Sequence, residues 1–138
     1  MSTLALLVLM MLGPALAHAS CVRWEGTITS DAGMSGIFRA AARVPPPVLP
    51  GAVAAGPFHC RGPGCPGRHG LFTDTYLITE VEVAGQFEPA SRKLICYYIG
   101  PAIHPPSIDA SYECYSLPGK TTFLFGGMLH LSGHRCHP

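Results

Sequence analysis

The sequence predicts a β-rich α+β domain: a small antiparallel sheet or sandwich of about five strands with one short helix, stapled by three disulfides. Three observations predict it. Short segments dense in Val, Ile, Thr, Tyr and Phe are bounded by Gly or Pro, the mark of strands and turns. One stretch, Asp31 to Val44, fits a helical template. Six cysteines lie in 138 residues, an even count that reads as three bridges if the chain is secreted.

The elements follow in order. Leu4 to Leu12 is an uninterrupted apolar run, followed by Gly13-Pro14 and by Ala17-His18-Ala19, the small-x-small spacing of a signal-peptidase site. Residues 1–19 are therefore expected to be a secretory signal and 20–138 a single mature domain beginning at Ser20. The apolar run falls well short of the roughly 20 residues that span a bilayer. Cleavage after Ala17 would instead expose His18. From Cys21 to Ile28, Val22, Trp24 and Ile28 alternate with polar residues, as a strand with one buried face requires. From Asp31 to Val44, Met34, Ile37, Phe38 and Ala41 match the i, i+3, i+4, i+7 pattern, with Ser30 or Asp31 to cap and Pro45 to stop the helix. Gly33 and Gly36 weaken that helix, and Phe38, Ala40, Ala42 and Val44 would equally serve a strand.

Between Val44 and Gly70 there are seven prolines and six glycines in 27 residues, a density that predicts loop, with Pro45 to Pro50 as a semi-rigid polyproline strap. Beyond it, Thr75–Val83, Lys93–Ile99, Ser111–Leu117 and Thr121–Phe125 read as strands. Leu117-Pro118-Gly119-Lys120 suits a turn joining the last two as a hairpin. Six cysteines allow fifteen pairings. Spacing favours Cys60–Cys65 across a flexible Arg-Gly-Pro-Gly segment and Cys96–Cys114 between adjacent strands, which leaves Cys21–Cys136 to tie the two ends of the domain.

A formal net charge of +1 with 12% charged residues offers no basic stripe for a phosphate backbone, so nucleic acid is not an expected partner. The chain contains no Asn and hence no N-glycosylation sequon. His59, Cys60, Cys65 and His69 have the residue types of a zinc site, but in an oxidising compartment the two thiols form a disulfide, and Arg61 and Arg68 disfavour a dication. His130, His134 and His137 are candidate ligands for adventitious copper or nickel; Leu131 stands where a His-Glu-x-x-His metalloprotease needs Glu. An amino-terminal His18 would resemble the copper brace of lytic polysaccharide monooxygenases, at one residue only. Glu80, Glu82 and the other carboxylates could be paired with a histidine for acid–base work, yet no motif selects them. No catalytic residue and no cofactor are expected. What remains is aromatic surface: Tyr76, Tyr97, Tyr98, Tyr112 and Tyr115, with Phe87, are more apolar bulk than one wet sheet face carries, which makes them the candidate binding residues.

A signal peptide, a short mature chain, six cysteines and no catalytic motif together resemble the small secreted cysteine-rich proteins of filamentous fungi, many of them host-directed effectors. That resemblance implies a secreted, monomeric interaction module that binds an extracellular or host protein and spans no membrane. The alternative is a small secreted enzyme, copper- or zinc-dependent on polysaccharide or a His/Glu hydrolase.

Overall fold

Period-two burial runs through the whole of the computed structural model, which describes residues 21–44, 53–75, 82–90, 93–103, 106–120 and 122–136. The strands are β1 (Cys21–Ser30), β2 (Ser35–Arg43), β3 (Ala54–Arg61), β4 (His69–Asp74), β5 (Glu82–Pro89), β6 (Leu94–Ile103), β7 (Ser107–Ser116) and β8 (Phe123–Arg135). Each pairs antiparallel with its neighbours in sequence, and β8 returns to β1 over the register Val22↔Arg135 to Ser30↔Gly127, so the eight strands form one closed barrel. Closure leaves no sheet edge to template aggregation. Among the described residues there is no helix.

An eight-stranded barrel is just wide enough for side chains to fill it or for one small ligand, and here side chains fill it. Phe38 stacks on Phe58 with centroids 5.2 Å apart, and Phe72 stacks on Tyr98 at 5.7 Å. Phe87 meets Phe38, Phe58 and Tyr112 edge-on at 5.4, 5.8 and 5.6 Å. Trp24, Phe38, Phe58, Phe72 and Phe87 are all 0% exposed.

The rings fit because glycines face them. Trp24 lies directly opposite Gly133, Phe58 opposite Gly70, Tyr98 opposite Gly85 and Tyr112 opposite Gly127. A Cβ on Gly133, Gly70 or Gly127 would fall 2.7 Å from the opposing ring, and on Gly85 2.5 Å from the Tyr98 hydroxyl. Pairing one large residue with one absent side chain lets a narrow barrel hold that much aromatic volume, and covering glycine with an aromatic neighbour restores packing that glycine lacks.

Two polar groups inside are served. Trp24 Nε1 donates to the fully buried Asp74 carboxylate at 3.1 Å, and the Tyr98 hydroxyl donates to the Thr73 carbonyl at 2.7 Å. The Tyr112 hydroxyl is buried with no hydrogen-bond partner, and burial, aided by the Asp31 carboxylate, pushes its pKa up to about 12. Burial and the charge on Asp74 also hold Tyr98 well above the ordinary tyrosine value. The disulfides are Cys21–Cys136, Cys60–Cys65 and Cys96–Cys114. The first bridges the β1–β8 seam at its end, the second pins the β3–β4 hairpin, and the third joins directly opposed residues of β6 and β7 inside the barrel.

The α+β expectation of about five strands is overturned. Asp31–Val44 is not a helix but a turn at 31–34 followed by β2. Two members of the helical template, Met34 and Ile37, are 48% and 45% exposed, whereas the alternative period-two set Phe38, Ala40, Ala42 and Val44 is buried. Inward burial on a sheet decided between two patterns that the sequence carries at once.

The expected loop from Val44 to Gly70 contains all of β3 and the start of β4. Pro57 lies in β3 where the β2–β3 ladder has no pair between Ala40↔Phe58 and Arg43↔Ala55, as suits a residue without an N–H to donate, and it stays in register with Leu71 of β4. Of the strand expected at Thr75–Val83, residues 76–81 lie outside the described residues, and its last two, Glu82 and Val83, open β5. Gly126, Gly127 and Gly133, which argue against a helix, lie within β8, Gly127 opposite Tyr112 and Gly133 opposite Trp24. The β7–β8 hairpin turns at Leu117-Pro118-Gly119-Lys120, with a cis Leu117–Pro118 bond and positive φ at Gly119 and Lys120. The residues of the signal segment, the Pro45–Pro50 strap, Tyr76 and His137 lie outside the described residues.

Candidate functional site

Filling the interior moves any recognition to the outer wall, and alternation along each strand decides which candidate residues reach it. Tyr98 and Tyr112, 3% and 1% exposed, point inward and belong to the core, so they leave the set of possible binding residues. Phe87 does likewise. Tyr97 and Tyr115 point outward from β6 and β7 and come together, their ring centroids 6.2 Å apart.

The ring row continues to Phe123, 5.9 Å from Tyr115 and 54% exposed, a residue that sequence reasoning did not select. Uninterrupted pairing would place Phe123 on the same face as Phe125. A register shift between Cys114 and Tyr115 makes Cys114 oppose Phe125 while Tyr115 opposes Phe123. The extra residue, Leu124, is 44% exposed. Such a bulge re-aims a side chain, here bringing Phe123 to the outside. Two registers along the same wall, Ile99 opposes Ser111, which opposes Met128, with Ile99 56% and Met128 38% exposed. Val53, the first described residue after the proline-rich segment, shares with Tyr97 and Ile99 a shallow groove of about 570 Å³. The Tyr115 hydroxyl donates to the Glu113 carboxylate, and that hydrogen bond raises the tyrosine pKa.

The histidines are distributed differently. His130 pairs through Nδ1 with Asp109 across β7 and β8, both half-exposed. This orients the imidazole as a general base would require, but none of the grooves on the outer wall described here is lined by the pair. His134 lies opposite Arg23. His59 and His69 are opposed across β3 and β4, and Cys60 and Cys65 are joined to each other. Among the described residues no three His, Cys, Asp or Glu side chains gather in metal-binding geometry.

A larger groove of about 970 Å³ lies on the opposite side of the barrel, over β2, β3 and the turn at 62–68, and is lined by Arg39, His59, Arg61 and Arg68. The strand order places β3 four positions from β7 around the wall, so the aromatic and the cationic faces look away from each other.

Comparison with family models, with curated proteins and with solved structures finds no match to this chain.

Proposed function

We propose that the protein is a secreted binding module that engages an extracellular or host protein through the outer wall of β6–β8. The observation that carries this reading is the outward-facing row Tyr97–Tyr115–Phe123, with Phe123 exposed and both tyrosines partly exposed, on a barrel whose inside is filled by side chains. Single exposed apolar residues are ordinary on a protein surface. A contiguous patch is not, and this one extends through Ile99, Leu124 and Met128 along neighbouring registers. Tyrosine and phenylalanine supply large contact area at the cost of two torsions each, and their clusters concentrate binding energy at interfaces. Three disulfides with no free cysteine are compatible with an extracellular location, and a closed barrel provides a rigid platform for the patch.

The experiment is affinity capture from the extracellular protein fraction of candidate hosts, with wild type beside Tyr115→Ala/Phe123→Ala and His130→Ala/His134→Ala variants. Loss of the captured partner with the aromatic pair only, at unchanged melting temperature, supports the reading. Loss with the histidine pair and retention with the aromatic pair overturns it in favour of an acid–base or metal site.

A further inference from the structure

The groove over β2, β3 and the turn at 62–68 faces away from the aromatic wall and has a different chemistry. Arg39, Arg61 and Arg68 line it with His59, all of them exposed. Among the described residues the one ion pair is His130–Asp109, so none of the three guanidinium groups is neutralised. Arg39 and His59 are directly opposed on β2 and β3, which sets their backbones one strand spacing of about 4.8 Å apart. Glu25, opposite Arg39 on β1, does not line this groove but shares an adjoining one with Arg39 and His59, and among the described residues it forms no ion pair with Arg39. Cys60–Cys65 pins the hairpin that carries Arg61 and Arg68, so the cationic groups rise from a pre-organised backbone and little ordering is lost on binding.

We infer that this groove binds an acidic polysaccharide whose charges are ring carboxylates, a polyuronate. Four features select that chemistry. A guanidinium fork matches the two coplanar oxygens of a carboxylate. Ile37, 45% exposed at the groove, and Pro63 give apolar surface for the C–H faces of pyranose rings. The closed barrel has no free strand edge, so an acidic peptide could not gain the main-chain ladder by which extended peptides commonly bind. The groove contains no Phe, Tyr or Trp, so it lacks the stacking platform that single-stranded nucleic acid uses.

The test is retention on immobilised polygalacturonate in low salt, with the fully methyl-esterified polymer as an uncharged copy of the same chain, and polyglutamate and a single-stranded oligonucleotide as competitors. Wild type is expected to be retained by the acid form and to elute with salt, to pass through the ester, and to resist displacement by either competitor at equal charge. Arg39→Gln/Arg61→Gln should lower affinity at least tenfold at an unchanged melting temperature, whereas Tyr115→Ala/Phe123→Ala should leave it unchanged, which separates this site from the aromatic one. Equal retention on the ester, equal binding of polyglutamate or of the oligonucleotide, or an Arg39→Gln/Arg61→Gln variant that binds as wild type would each overturn the assignment.

Discussion

Removing the Cys21–Cys136 bridge by the double change to Ala should be the most costly of the three disulfide deletions. The magnitudes follow from the lengths of chain that each bond closes in the unfolded state. The separations are 115, 18 and 5 residues for Cys21–Cys136, Cys96–Cys114 and Cys60–Cys65, and the chain-entropy model then gives about 4.8, 3.2 and 2.1 kcal/mol. The first bond also ties the seam where β8 meets β1, the one strand pairing that must be closed between the two ends of the domain. Its loss should leave a folded barrel, because the hydrogen bonds of the β1–β8 ladder remain. The assay is urea unfolding followed by Trp24 emission for wild type and each double-Ala variant; at roughly 4 °C per kcal/mol, the seam variant should melt about 20 °C lower. The Cys96–Cys114 value carries an added packing loss, since both sulfurs are in the core at 0% exposure. The decisive comparison is therefore seam against Cys60–Cys65. If deleting the seam bond costs no more than deleting Cys60–Cys65, the closure account is refuted.

Other outcomes follow from the interior. Gly133→Val would drive a side chain into the Trp24 ring and should destabilise by about 1–3 kcal/mol in urea titration; a neutral result would mean that the ring is not where it has been placed. Tyr112→Phe removes a buried hydroxyl without a partner and should stabilise by about 1 kcal/mol at pH 7. Burial pushes the Tyr112 pKa up to about 12 from the ordinary tyrosine value of 10.0, so the fold favours its protonated form: that contribution is whole below pH 10 and is lost as pH rises from 10 through 12. Tyr112→Phe should accordingly flatten the alkaline limb of the stability profile, and spectrophotometric titration should show Tyr98, Tyr112 and Tyr115 ionising late. Asp74→Ala takes the acceptor from Trp24 Nε1 and should cost about 1–3 kcal/mol, read as a lower urea midpoint.

Legibility in the sequence varied by element for physical reasons. β1 and the cores of β6 and β7 declare themselves through period-two alternation or dense β formers, because one face of each strand must be apolar. β2 was ambiguous since Met34, Ile37 and Phe38 satisfy a helical period while Phe38, Ala40 and Ala42 satisfy a strand period; only the burial of Ala40 and Ala42 against the barrel interior separates them. β3 was hidden by Pro57 and Gly56, and the end of β8 by Gly126, Gly127 and Gly133. Those glycines read as breakers in isolation, but as partners of Tyr112 and Trp24 they are what a narrow, aromatic-filled barrel demands. Had each large ring been matched with glycine on a neighbouring segment, closure would have been readable.

The same limits shaped the site. Tyr97 and Tyr115 were selected as surface, and Tyr98 and Tyr112 with them, because alternation alone does not say which face closes inward. Phe123 was missed because a bulge reverses its face, and a single extra residue leaves no local compositional trace. Arg61 and Arg68 were visible as a pair, but Arg39 joins them only through the β2–β3 register, a contact between segments that the loop expectation had separated.

The claim beneath both binding proposals is that the barrel is full, so that recognition happens on its outside. Trp24 is the one tryptophan of the chain and is 0% exposed inside the barrel, which makes its emission a direct report of interior occupancy. The measurement is a titration of the native protein with an apolar small molecule such as dodecanoate while Trp24 emission is followed. The account predicts no saturable change in intensity or wavelength. A saturable change at one molecule per protein would show an interior that opens to ligand and would contradict it.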